Sequence, residues 1–261
     1  MAGHAATTVD VNGCRTHVRR GGKGAPVVFL HGAGGVASWA PFMDRLSDRF
    51  DLIVPDHPGF GRSDTPDWLD DVQDLAFFYL DFLKAMDLTG VHLVGSAIGG
   101  WIAADLAARN TGRLATLTLV GAAGIHINGV PKGDPFMWTE EEHIRNLFHD
   151  QSFAEARLNA PRSEEDHDIA LKNEFSFARV SWEPRFYSRH LRKWLHRIDV
   201  PTLIVWGADD KLFPPAYAHE YGKLIPGARV EVFPACGHLP HVEQADRFVA
   251  TFTRFVEEAR P

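Results

Sequence analysis

The sequence predicts an α/β fold, with a mostly parallel central sheet, helices on both faces and a helical insertion. Three observations carry this expectation. Runs such as Val27-Val28-Phe29-Leu30 and Leu203-Ile204-Val205 are too uniformly apolar for a strand with one wet face, so they read as strands covered on both sides. They alternate with longer amphipathic stretches, the rhythm of strand–helix–strand units. Between about residues 125 and 196 that rhythm stops, and charges are mixed with large aromatics such as Phe136, Trp138, Phe177, Trp182 and Phe186.

Taken in order, Thr7 to Val11 and Thr16 to Arg20 flank Asn12-Gly13, the pairing that favours a two-residue hairpin turn. Val27 to Leu30 is the first buried strand and Leu52-Ile53-Val54 the next. From Val72 to Met86, Leu75, Phe78, Tyr79, Phe82 and Met86 recur at three- and four-residue spacing, which predicts a helix with one buried face. Val91 to Val94 is a short central strand, the alanine-rich Ile98 to Arg109 a helix, and Leu114 to Val120 a strand. After the insertion, Thr202 to Trp206 and Arg229 to Phe233 resume the strand pattern, and a helix from about Gln244 to Glu258 closes the chain. The expected division is therefore a core of residues 1–124 and 197–261 with a helical cap over residues 125–196.

Composition narrows the function classes. A chain of 261 residues with 45% hydrophobic content can bury a large core without covalent staples. Two cysteines, Cys14 and Cys236, make no disulfide framework and suggest a reducing compartment. Met1-Ala2-Gly3-His4-Ala5-Ala6 shows no basic region followed by an apolar stretch, and no run approaches a membrane span, so a cytoplasmic protein with no membrane partner is expected. A net charge of -7 argues against nucleic acid as a partner. Fourteen histidines include no pair in a metal-ligand context, so neither metal nor cofactor is expected. A small apolar or aromatic molecule is the expected partner, and a homodimer is left open.

Four short motifs carry the chemistry. Gly95-Ser96-Ala97-Ile98-Gly99-Gly100 lies between a buried strand and a helix, where small flanking residues permit a sharp turn that lifts its central side chain clear of the sheet. The helix that follows points its free amides and dipole at that place. The central residue is Ala97, which carries no nucleophilic oxygen, and Ser96 beside it is expected to point away from the pocket. His31-Gly32-Ala33-Gly34-Gly35 follows the strand ending at Leu30 and can bring backbone amides to a ligand, with Ala33 and Ile98 the candidate oxyanion donors. Gly32, Gly34, Ser96 and Leu239 are candidate substrate-binding residues. Trp206-Gly207-Ala208-Asp209-Asp210 ends in two acids after a buried strand, a place from which an acid can orient a histidine. Cys236-Gly237-His238-Leu239-Pro240-His241 supplies that histidine as His238, with Leu239 next to it.

Ala97, Asp210 and His238 stand in the chain order nucleophile, acid, histidine, and with Asp56-His57-Pro58-Gly59-Phe60-Gly61-Arg62-Ser63 they make the chain resemble an α/β-hydrolase with a helical cap. The resemblance implies a carboxylic ester hydrolase acting through an acyl-enzyme, or alternatively a carbon–carbon bond hydrolase for ring-cleavage products of aromatic catabolism. It implies that His238 takes the nucleophile's proton while Asp210 orients the imidazole. Enzymes of the carbon–carbon type often place tryptophan after the histidine and asparagine before the serine, where this chain has Leu239 and Ser96. Arg179 and Trp182 in the insertion are candidates to meet a substrate carboxylate and its apolar tail. Ala97 admits three readings: a deliberate serine-to-alanine replacement, a natural non-catalytic binding protein, or a serine-independent reaction with His238 as base. The intact Asp210 and His238 favour the first.

Overall fold

The computed structural model describes residues 4–259; the first three residues of the amino-terminal reading lie outside them. Eight strands form one sheet: β1 (His4–Val11), β2 (Cys14–Gly21), β3 (Pro26–Leu30), β4 (Asp51–Pro55), β5 (Val91–Ser96), β6 (Leu114–Val120), β7 (Thr202–Gly207) and β8 (Arg229–Phe233). Their order across the sheet is β1-β2-β4-β3-β5-β6-β7-β8, antiparallel at β1/β2 and β2/β4 and parallel from β4 to β8. The predicted mostly parallel sheet is thus present, and both strands of the hairpin run longer than their apolar pattern alone suggests.

Ten α-helices accompany the sheet among the described residues: α1 (Pro41–Ser47), α2 (Val72–Ala85), α3 (Ile98–Arg109), α4 (Glu140–Asn146), α5 (Gln151–Leu158), α6 (Glu164–Ser181), α7 (Leu191–Trp194), α8 (Ala216–Leu224), α9 (Pro240–Glu243) and α10 (Ala245–Glu258). The side chains of each parallel strand alternate between two cores, as a pleat of period two requires. Val28, Leu30, Leu93, Leu117, Leu119, Ile204 and Trp206 join α2, α3 and α8 on one face. Val27, Phe29, Val94, Val120, Leu203 and Val205 meet α1 and α10 on the other. This double coverage explains why the strand sequences read as continuous apolar runs.

Helices α1 and α8 have no counterpart in the sequence reading. Only seven residues long, α1 buries Phe42, Met43 and Leu46, too few repeats for periodicity to register. In α8, Tyr217, Ala218 and Tyr221 face the core directly after Pro214-Pro215, which reads as a loop signal. Helix α2 begins where Asp71 accepts hydrogen bonds from the Gln73 and Asp74 amides, at 2.6 and 3.1 Å, satisfying two orphan donors of its first turn. Between β6 and β7 lie α4 to α7, whose strand content among the described residues is one isolated bridge from Gly124 to Tyr187.

Strand β3 leads through α1 to β4 on one side, and β4 leads through α2 to β5 on the other side of β3. The chain therefore leaves the carboxyl ends of β3 and β5 in opposite directions, and a crevice opens between their loops, the usual place for a ligand in an open α/β sheet. Among the described residues no helix is long and apolar enough to cross a membrane.

Phe252 on α10 is fully buried, with its ring 5.5 Å from that of Phe50 and 6.3 Å from that of Phe248. Phe252→Ala is expected to lower the unfolding free energy by about 3–5 kcal/mol, the sum of lost transfer energy and residual cavity. Urea denaturation should show a lower midpoint at unchanged slope.

Candidate active site

The centre of the site is a backbone turn. Ala97 sits at φ 53°, ψ -116°, a conformation that alanine seldom adopts, between the end of β5 and the start of α3. Its surroundings enforce it. The Ala97 N–H donates to the Val120 carbonyl at 2.9 Å, and the Ala97 carbonyl accepts from Gly100, Trp101 and Ala123 at 3.1–3.2 Å. The turn also needs glycine on either side, since a Cβ on Gly95 would fall 2.2 Å from the Gly99 oxygen and one on Gly99 would fall 2.1 Å from the Leu30 oxygen.

The loop after β3 lies against this turn, with the Cβ of Ala97 3.4 Å from where a side chain on Gly32 would begin. Among the described residues, neither the Ala33 N–H nor the Ile98 N–H donates a hydrogen bond to a protein acceptor. Two buried histidines hold the loop. The His31 and His57 rings stack with centroids 3.7 Å apart. His31 Nδ1–H donates to the Gly32 carbonyl at 2.7 Å, so its Nε2 accepts from the His57 amide at 3.2 Å. His57 Nε2–H donates to the His31 carbonyl at 3.0 Å, and its Nδ1 accepts from the Tyr79 hydroxyl at 2.6 Å. These assignments make both rings neutral, in keeping with burial, which lowers both their pKa values.

Across the crevice, His238 Nδ1 donates to Asp210 Oδ2 at 2.8 Å, with both side chains buried. Asp210 Oδ1 in turn accepts the Leu212 and Phe213 amides at 2.8 and 2.9 Å, which fixes the carboxylate. Its neighbour Asp209 is half-exposed and pairs with His149 at 2.9 Å. The loops carrying acid and histidine are joined by Asp209 N–H to the Cys236 carbonyl at 2.9 Å, and the His238 amide donates to the Leu147 carbonyl at 2.8 Å. His238 Nε2 is buried and has no hydrogen-bond partner among the described residues.

Ala97, Ile98, His238 and the His31–Gly35 loop line a common cavity of about 360 Å³, within the range of small-molecule sites. Gly32, Ala33, Gly34, Ser96 and Leu239 line it as well. Ser96 is buried with an unpartnered hydroxyl. Arg179 and Trp182 are placed elsewhere: Arg179 donates to the Asp67 carbonyl at 3.3 Å, and the half-exposed Trp182 stacks under the Arg185 guanidinium at 4.2 Å. Cys236 is absent from the cavity wall, and burial, with the nearby carboxylates of Glu243 and Asp210, pushes its thiol up to about 12, so it is no thiolate near neutrality.

Among the lining residues that no motif singled out are His143 and Arg157, from α4 and α5, while Phe177 and Phe186, from α6 and the segment after it, stood in the sequence only as aromatics of the insertion. No periodicity distinguishes a ring that lines a cavity from one that packs the insertion: Phe136, Phe177 and Phe186 pack on one another at 4.9–5.6 Å, and of these Phe177 and Phe186 also line the cavity. Among the described residues no cluster of side chains is arranged to hold a metal ion.

The residue pattern of the alpha/beta hydrolase family matches residues 27–251. The chain is 28% identical to 2-hydroxymuconate semialdehyde hydrolase of Pseudomonas sp. strain CF600, over 95% of this chain and 92% of that protein. It superimposes with a TM-score of 0.80 and 26% identity on a serine-to-alanine mutant of the meta-cleavage product hydrolase of Pseudomonas fluorescens IP01 complexed with acetates, covering 97% of this chain and 98% of the other. A bacterial membrane phospholipase A gives a TM-score of 0.83 at 25% identity, covering 99% of this chain and 87% of that one.

Two further histidines make stability depend on pH. Burial, then the neighbouring Arg157 and His238, lowers His143 to about 4, and burial, then His238, lowers His241 to about 3. A base held below its unfolded value leaves stability intact above about pH 6.5. Below that the unfolded chain takes up protons that the folded chain refuses, so stability falls from pH 6.5 towards 4, by up to ~1.4 kcal/mol per pH unit for each group. His241 packs among Phe29, Phe42 and Phe248, so His241→Phe should reduce this acid sensitivity. Urea midpoints at pH 4.5 and 7.5 would check it, with a smaller gap in the variant expected.

Proposed function

The chain belongs to the alpha/beta hydrolase family, and on that premise we propose that its cavity is the site of a carbon–carbon bond hydrolase for ring-cleavage products, with alanine where the nucleophile's oxygen would stand. The observation that carries the reading is the pairing of a strained turn at Ala97 with a buried, acid-oriented His238 whose Nε2 has no partner. A buried polar atom without a hydrogen bond costs free energy, so such an arrangement points to a group that it is built to receive.

With a hydroxyl at position 97, the steps are these. His238 Nε2 takes the hydroxyl proton as the oxygen attacks a substrate carbonyl carbon, and Asp210 holds the imidazole in the tautomer that can accept it. The carbonyl oxygen gains negative charge against the Ala33 and Ile98 amides, each such donor being worth roughly 3–4 kcal/mol. Collapse breaks the bond to the leaving group, which takes the proton from His238. Water, deprotonated by His238, then attacks the acyl group and restores the hydroxyl. Alanine at position 97 can perform none of the covalent steps, while the cavity and its donors remain.

Carboxylic ester cleavage is the second reading, since the same steps break a carbon–oxygen bond. Leu239 and Ser96, which depart from the usual carbon–carbon pattern, and the likeness to a phospholipase favour it.

The test is the Ala97→Ser variant against 2-hydroxymuconate semialdehyde and para-nitrophenyl acetate, followed by absorbance. Turnover should rise by at least ~10⁴-fold over the alanine form, by the scale of triad knock-outs. Adding Asp210→Asn should remove about four orders of magnitude again. An Ala97→Ser protein that cleaves neither compound and is not labelled by a fluorophosphonate sinks the reading, and an alanine form that already turns over replaces it with a serine-independent reaction.

A further inference from the structure

Helix α9 brings a further histidine to the cavity, one that the mechanism does not use. His241 follows His238 in the same motif, is 6% exposed, and forms part of the cavity wall. The cavity touches both cores of the molecule. Ile98, Phe186 and Phe213 in its wall belong to the core with α2, α3 and α8, whereas Phe29, Phe42 and Met43 belong to the core with α1 and α10. His241 packs on Phe29 and Phe42, so it marks an arm of the cavity on the α1 face of the sheet.

Neither nitrogen of this ring has a hydrogen-bond partner among the described residues. Nδ1 is sealed by protein, which leaves Nε2 as the accessible nitrogen of a ring that lines the cavity. What surrounds the ring is carbon. The Phe42, Phe29 and Phe248 rings stand at centroid distances of 4.9, 5.4 and 6.0 Å, and an aromatic face offers an imidazole N–H no more than a weak contact. A buried polar group of this kind is unfavourable unless a partner reaches it, and the cavity is the side from which one can arrive.

The ring also selects the partner. Burial, then the neighbouring His238, lowers its pKa to about 3, so near neutrality the imidazole is uncharged and presents one donor and one acceptor nitrogen. An anion meets no positive charge on it. A neutral hydroxyl, which both donates and accepts, matches Nε2 in either tautomer. The walls beside it, Phe29, Phe42 and Met43, suit a flat apolar ring as the carrier of that hydroxyl.

We propose that the arm on the α1 face is a subsite for a hydroxyaryl group of the substrate, with His241 Nε2 hydrogen-bonded to its hydroxyl. The hydrolase reading supplies the meaning of the reacting carbonyl at the other end, and on that point the proposal rests on it; the hydroxyl subsite itself stands on His241 and the arm.

The experiment uses the alanine form and neutral ketones: acetophenone and its meta- and para-hydroxy and meta- and para-methyl derivatives. Titration calorimetry should show one hydroxy isomer binding about 3- to 10-fold more tightly than acetophenone, the scale of one neutral hydrogen bond, with no such gain from a methyl group at that position. The imidazole ¹⁵N resonances of His241 should shift with that isomer and stay in place with acetophenone. His241→Phe should bring the affinity ratio of the hydroxy isomer to acetophenone down to about one, and His241→Gln, whose amide also donates and accepts, should restore part of it. The ¹⁵N shift is read on the unsubstituted chain, so it decides the matter even where a variant fails to fold. A hydroxyl that gains no more than the methyl, a gain that survives in His241→Phe, ¹⁵N resonances that do not move, or no binding of any ketone overturns the proposal. If the hydroxyl preference appears while Ala97→Ser remains inactive, the hydrolase reading fails and the subsite stands; turnover by Ala97→Ser without a hydroxyl preference has the opposite meaning.

Discussion

The site depends on one backbone turn that its surroundings will not let relax. Ala97 is held at positive φ by four hydrogen bonds to its own amide and carbonyl, and by two glycines whose missing side chains leave room for β3 and α3 to touch. Such strain costs of order 1–3 kcal/mol and persists only where the rest of the fold over-determines it. Here the determinants lie in β6, in the loop after it and in α3, so the turn is a property of the packed sheet and owes nothing to its own side chain. Everything else in the site is placed relative to it: the Ile98 amide by helix α3, the Ala33 amide by the loop that touches Gly32, and His238 by loops that zip together across β7 and β8.

That placement follows from topology. Because β4 and β5 flank β3, the loops leaving β3 and β5 diverge and leave a crevice that neither helix layer closes. The His31–His57 stack then ties the loop after β3 to the loop after β4, using buried neutral imidazoles that accept and donate in a fixed sense. Neutral rings suit this duty because burial makes a charge there costly, by more than the nearby Asp56 offsets at His31. The positive charge in the cavity is instead concentrated on Arg157, at the side where the insertion meets the loop.

Much of this was legible in the residues. The parallel strands could be read because both faces are covered, and Ile98 to Arg109 matches α3 because β5 and Asn110 bound it sharply. The loops carrying Ala33, Ala97, Asp210 and His238 could be found because each follows a strand and carries a residue type that the turn demands. The wall opposite them was not legible. Arg179 and Arg157 are both arginines on helices of the insertion, and only the way α5 and α6 dock decides that one meets the Asp67 carbonyl and the other the cavity. Docking of that kind depends on contacts such as Asn173 with the Gly34 carbonyl, more than a hundred residues away, for which sequence periodicity has no signal.

The alanine at the centre is best understood from the same packing. If the turn were stabilised by a hydroxyl at position 97, its loss would let the backbone fall into an ordinary helical start, and Asp210 and His238 would then frame nothing. The observed bonds run instead through the main chain of Ala97, to Val120, Gly100, Trp101 and Ala123. The elbow, the free amides and the oriented imidazole therefore coexist with a side chain that can do no chemistry, and the buried His238 Nε2 without a partner is the residue of that mismatch. An unsatisfied buried nitrogen costs of order 1–3 kcal/mol, a sum that the sheet around it evidently tolerates. Under the proposed reading, stability and chemical competence are separable here, because the backbone of the turn holds the shape of the site whatever side chain stands at position 97.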